Sequence, residues 1–133
     1  MTRPKFDVRL DPDALKEYEK LDGSVIKIVN KAIDELEYRA DEVGKVLENK
    51  RNMRLHGCKE IKLRGSGIRI VFRITNEVVE ILKVVYILVI ERRSNDFVFK
   101  IASKRFKRVQ HMNELPKILG SAMKWNQRQN KSD

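Results

Sequence analysis

Residues 59–74 read Lys Glu Ile Lys Leu Arg Gly Ser Gly Ile Arg Ile Val Phe Arg Ile, and this stretch leaves the chain few ways to fold. Apolar and basic residues alternate on either side of Gly Ser Gly, which predicts a β-hairpin with one greasy face and one cationic face. Side chains alternate across a strand, so Ile61 and Leu63 share a face with Ile68, Ile70, Phe72 and Ile74, and that face must enter a core. The opposite face carries Glu60, Lys62, Arg64, Arg69 and Arg73. Cations so crowded repel one another unless an anion lies across them, and a phosphodiester backbone is the commonest candidate.

Charge along the chain is uneven in the same sense. Residues 1–49 hold nine Lys/Arg and twelve Asp/Glu, net −3, whereas residues 50–133 hold twenty and seven, net +13. The overall +10 therefore belongs to the hairpin and the residues after it, which predicts one basic surface and a nucleic-acid-related function. At 133 residues the chain is long enough for one domain with a core that needs no disulfide or metal. The single cysteine, Cys58, excludes an internal disulfide and is expected to be a packing residue. The longest apolar run, 84–90, falls far short of the ~20 residues that span a bilayer. The opening Met Thr Arg Pro Lys is unlike a signal segment, so no membrane partner and a cytoplasmic location are expected.

Periodicity supplies the rest of the topology. Phe6, Val8 and Leu10 alternate with Asp7 and Arg9 as a first strand. Asp11 followed by Pro12 is a helix start, and Leu15, Tyr18 and Leu21 mark the buried stripe of a short helix ending near Gly23. Ser24 is placed to cap a second helix, whose Val25, Ile28, Val29, Ala32, Ile33 and Leu36 recur at three and four. Residues 41–58 lack a clear period and read as a connection with room for a helical turn at 43–47. After the hairpin, the near-continuous apolar run 78–90 predicts one long central strand with a bulge or strong coiling. Ser94, Asn95 and Asp96 read as a turn, 97–101 as a short last strand, and Leu115, Ile118, Leu119, Ala122 and Met123 as the stripe of a C-terminal helix. The expected class is α+β: a strand and a two-helix hairpin packed on a twisted antiparallel sheet of four or five strands, with a C-terminal helix.

Phe6 Asp7 Val8, Ala14 to Leu21, Leu55 His56 Gly57, Ile61 to Phe72 and Ala102 Ser103 Lys104 Arg105, in this order, resemble the RelE branch of the RelE/ParE toxins of toxin–antitoxin modules. The resemblance covers residues 5–105 and is most specific at 55–72. It implies a RelE/ParE-like, microbial-RNase-like domain over 1–105, with 106–133 a basic extension of the same domain carrying a short helix. It also implies a ribosome-dependent endoribonuclease that uses no metal or other cofactor. The substrate's 2′-hydroxyl attacks the adjacent phosphate, and basic side chains stabilise the charge gathering on that phosphate in the transition state. The implied partners are a cognate antitoxin, the ribosome and messenger RNA.

By the same resemblance, Lys62 falls on the family's hairpin lysine, a base or charge stabiliser, and Arg69 on its phosphate-binding arginine. Arg93, with Arg92 as the register alternative, falls on the arginine proposed as general acid. Two positions depart from the pattern. Glu60 stands where a second basic residue is usual, and either serves as a carboxylate base or neutralises the site. Phe99 stands where a catalytic tyrosine is usual; it can stack on a base but carries no hydroxyl. Arg64, Arg73, Arg92, Lys100, Lys104 and Arg105 are the expected RNA-binding set. Two other classes remain open: a ParE-like poison of DNA gyrase, and a catalytically inactive, phage-encoded RelE-fold protein that binds nucleic acid or a host protein.

Overall fold

Strand β1 (Phe6–Leu10) forms where the alternation predicts it, and Asp11 ends it by capping helix α1 (Pro12–Glu19), its carboxylate accepting from the Asp13 backbone N–H at 2.9 Å. The structure is a computed structural model, and it describes residues 3–49, 55–79, 81–92, 95–111 and 122–125. Helix α2 (Gly23–Arg39) is capped by Asp22 rather than by Ser24: the Asp22 carboxylate takes both the Val25 N–H, at 3.1 Å, and the Ser24 hydroxyl, at 3.0 Å. A carboxylate can accept several donors at once, so the aspartate holds the cap and the serine is drawn onto it.

The predicted hairpin is strands β3 (Cys58–Leu63) and β4 (Ile68–Val79), with Gly65 and Gly67 at φ +87° and +75° in the turn. Its apolar face packs as expected, Ile68, Ile70 and Phe72 lying with Val8, Leu10, Ile33 and Leu36 in a core under α1 and α2. A two-residue strand, β2 (Lys45–Val46), lies where the sequence left room for a helical turn. The run 78–90 is not one strand: β4 continues to Val79 and β5 begins at Leu82 (Leu82–Glu91), so a hairpin turn crosses it. The expected bulge lies nearby, at the slip between Val71/Val89 and Phe72/Ile87.

Residues 97–101 are not a strand either. They belong to helix α3 (Asn95–His111), which lays Val98, Phe99, Ala102 and Phe106 on Val71, Val84, Tyr86, Leu88 and Val89 as a second core. Met123 lies in a short strand, β6 (Met123–Lys124), while the rest of the expected C-terminal helix falls outside the described residues, apart from Ala122. The α+β class holds. The sheet has six strands in the order β2-β3-β4-β5-β1-β6 and is mixed, because β1 pairs parallel with β5. Helices cover both faces, which explains why Val84 through Ile90 are all buried.

Beyond Ile87, β5 outruns its neighbour β1, and two side chains take that strand's place. Arg105 of α3 donates to the Leu88 carbonyl at 2.7 Å, and Glu17 of α1 accepts from the Ile90 N–H at 3.1 Å. The same two residues grip each other through two N–H···O contacts of 2.9 and 3.1 Å. One ion pair thus satisfies backbone groups that would otherwise be stranded at a covered sheet edge.

Candidate functional site

Pairing across the β3–β4 hairpin sets Lys62 directly opposite Arg69, and Glu60 opposite Val71. Strand alternation then puts Glu60, Lys62 and Arg69 on the face that α3 covers, and the helix stops short of covering all of it. Toward the turn Lys62 and Arg64 are exposed, whereas Arg73, at the other end, is folded under the helix. The Arg73 guanidinium lies 4.4 Å from the centre of the Phe106 ring and donates to the His56 carbonyl at 3.4 Å. It is thereby separated from the open end.

At that open end a cleft of about 350 Å³ is lined by Lys45, Val46, Leu47 and Glu48 from β2 and just beyond, by Glu60 and Lys62 from β3, and by Phe99 from α3. Glu60 is buried, with 2% of its side chain accessible, and its Oε2 lies 3.4 Å from Nη1 of Arg69, whose side chain is 21% accessible. This contact is long for a charge-assisted hydrogen bond and occupies one of the five guanidinium N–H groups, so Arg69 keeps most of its donors. Among the described residues no carboxylate lies within ion-pairing distance of Lys62. The cleft therefore combines a buried carboxylate, exposed ammonium groups and an aromatic wall, with the Arg69 guanidinium beside the carboxylate but outside the lining. It can accept a proton at one point and hold a phosphate at another.

The remaining sequence candidates divide. Lys100 and Lys104 are exposed one turn apart on the outer side of α3. Arg105 is not: its bidentate contact with Glu17 makes it a brace between α3, α1 and β5, and although burial pulls its pKa down, the Glu17 contact and charge together with the Asp11 and Asp13 carboxylates hold it above its ordinary value. Arg92 opens onto another cleft, beside Lys20, Asp22, Ile68 and Ile90 on the α1–α2 side of the sheet, so it does not share the face of Lys62 and Arg69. Arg93 lies outside the described residues. Cys58 is a packing residue, as expected; burial pushes its thiol up to about 11, against a pull downward from Arg73.

Sequence reasoning missed Lys45. The two residues of β2 carry no alternation to detect, and only the pairing of Lys45 with Glu60 reveals which way it faces.

Two covered sheet faces, a hairpin-borne group of cations and a cleft at its open end define a class of small α+β proteins, and known proteins supply its name. No family model matches the sequence. An Escherichia coli protein described as a RelE-like toxin is 30% identical over an alignment of 108 residues that covers 77% of this chain and 99% of that protein. Free Escherichia coli RelE with two arginines replaced by alanine superposes with a TM-score of 0.55 at 28% identity, covering 76% of this chain and 97% of RelE. A chain of the Mycobacterium tuberculosis RelBE2 toxin–antitoxin complex gives 0.50 at 26% identity, covering 71% and 98%. The chain belongs to the RelE-like toxin family. Among the described residues no helix is long and apolar enough to cross a membrane.

Proposed function

We propose that this chain is the toxin of a toxin–antitoxin pair and an endoribonuclease that cuts ribosome-bound messenger RNA by 2′-hydroxyl attack on the adjacent phosphate. Family membership supports the first part. The second rests on one observation: Lys62 and Arg69 are register partners beside the buried Glu60 carboxylate, and Lys62 and Glu60 line an open cleft. Glu60 supplies the acceptor, since a guanidinium and an ammonium only donate. It takes the 2′-hydroxyl proton as O2′ bonds to phosphorus. Arg69 and Lys62 stabilise the extra charge on the pentacoordinate phosphate, and the P–O5′ bond breaks to leave a 2′,3′-cyclic phosphate. The proton for the leaving O5′ is assigned, by family resemblance, to Arg93. Phe99, expected from the sequence to stack on a base, is 3% exposed and packed in the core under α3, so it walls the cleft instead. A cognate antitoxin is the proposed partner, as the Mycobacterium tuberculosis relative is found in a toxin–antitoxin complex.

The test is to induce the chain alone in bacteria and map message ends when growth stops. New ends within translated codons, lost in Lys62→Ala plus Arg69→Ala, are expected. Growth arrest with intact message and inhibited supercoiling would instead indicate gyrase poisoning. The absent hydroxyl at Phe99 and the Glu60–Arg69 contact favour one further reading, a silent RelE-fold binding protein, for which high expression would leave both growth and message untouched.

A further inference from the structure

We infer that Lys45 is a second phosphate anchor, holding the RNA phosphate next to the one that Lys62 and Arg69 address; the inference rests on the ribonuclease reading above. Three observations converge on it. Lys45 pairs directly with Glu60 across β2 and β3, so it stands diagonally from Lys62, at ~7–8 Å by ordinary antiparallel geometry. That is close to the spacing of successive phosphates along a single strand. The two lysines also line the same cleft, on either side of the buried carboxylate. Finally, the short strand that carries Lys45 is fixed in place. Gly44 turns into it at φ +84°, a conformation that strains any side chain, and an added Cβ would sit tightly, 3.2 Å from the Glu60 carbonyl and 3.3 Å from the Phe72 ring.

The other end of the strand is equally pinned. The Leu47 N–H donates to the Cys58 carbonyl at 2.9 Å and the Leu47 side chain is buried. Between these fixed points alternation puts the Lys45 side chain on the same face as Glu60 and Leu47, while Val46, 63% exposed, borders the cleft from the position between them. Among the described residues Lys45 has no carboxylate within ion-pairing distance. Glu48 is the one cleft carboxylate not engaged by Arg69, and it limits how much anion the site attracts. A contact to phosphate alone carries no base preference, so Lys45 sets grip and register rather than sequence choice.

The experiment measures binding of a single-stranded RNA oligonucleotide, 2′-O-methylated throughout so that it is not cut, by fluorescence anisotropy across a KCl series. Each phosphate neutralised on a single strand contributes about −0.7 to the slope of log K against log salt. Lys45→Ala is expected to make the slope shallower by about that amount with any base sequence, and Lys45→Arg to restore it. Lys27→Ala, exposed on α2 over the other face of the sheet, should leave it unchanged. Glu48→Gln should tighten binding. A wild-type slope for Lys45→Ala alongside a shallower one for Lys62→Ala overturns the anchor and leaves the ribonuclease reading standing. Wild-type slopes for both count against that reading itself, and no RNA binding by the wild-type chain overturns the anchor. A slope change tracking a lowered melting temperature, and not restored by Lys45→Arg, would make Lys45 merely structural.

Discussion

Trp125 gives the tail its most measurable role. It is 1% exposed, meets Tyr18 edge-on at 5.4 Å between ring centres, and donates its indole N–H to Asp34 at 2.8 Å. Just before it, β6 pairs with β1 through Arg9↔Lys124 and Leu10↔Met123. Replacing a buried tryptophan by alanine typically costs about 3–5 kcal/mol. Unfolding entropy near ~2.1 cal/mol/K per residue, over 133 residues, converts that to a melting-temperature drop of roughly 11–18 °C. The tail has a second option, to let go of the core altogether, and the loss then equals the net free energy of docking. Trp125→Phe keeps most of the apolar area but loses the N–H, and should cost about 1–1.5 kcal/mol. Because Trp125 is the chain's single tryptophan, native emission should also be blue-shifted and shielded from acrylamide. A drop below about 3 °C in Trp125→Ala, or free quenching of the native protein, would refute the docked tail.

Three further outcomes are expected. Arg105→Ala should destabilise by about 2–4 kcal/mol, because it strands a partly buried Glu17 and the Leu88 carbonyl, and Arg105→Lys should recover only part since an ammonium lacks the fork; equal stability of all three would remove the brace. Burial, with Asp34 and Asp7 nearby, pushes the Glu37 carboxyl from 4.5 up to about 7, against a pull downward from Lys124. The folded state then keeps a proton the unfolded state has released, so this group's contribution falls as pH rises from about 4.5 to 7. Denaturant titrations of Glu37→Gln should show that slope flattened and stability gained above pH 7, and an unchanged profile would sink the assignment. Cys58, with its thiol pushed up to about 11, should resist iodoacetamide at pH 8 until urea opens the fold; rapid labelling of native protein would contradict its burial.

The sequence makes legible what local pattern encodes. Alternation around Gly65 and Gly67 specifies the hairpin, its core face and the adjacency of Lys62 and Arg69, because strand parity needs no knowledge of the rest of the chain. Residues 97–101 read as a strand because Phe, Val, Phe and Ile favour strands in isolation. In the fold Val98, Phe99, Ala102 and Phe106 make a helical stripe across the sheet's second face, and that demand overrides local preference. The turn between Val79 and Leu82 carries no glycine or proline to announce it. The parallel β1–β5 pairing and the Glu17–Arg105 brace join positions far apart in sequence, which leave no local trace. The expected single basic surface shrinks accordingly. Arg73 sits against Phe106, Arg105 and Arg108 face Glu17, Asp11 and Asp13, and Arg92 lies across the sheet.

Sequence leaves Glu60 with two roles, and the geometry gives a way to tell them apart. Its carboxylate touches Arg69 at 3.4 Å, so one substitution removes both a proton acceptor and a competitor for the guanidinium. Glu60→Gln keeps the shape, and in either role it should tighten RNA binding, because an incoming phosphate no longer displaces a charged partner from Arg69. Cleavage separates the two. If Glu60 is the base, the rate on ribosome-bound message should fall by about 10²–10⁴-fold while the RNA is held more firmly. If Glu60 only neutralises the site, the freed Arg69 should raise the rate or leave it unchanged. Tighter binding with lost cleavage is the outcome expected here; tighter binding with cleavage kept would transfer the base's role away from Glu60, and Lys62 would be next in line.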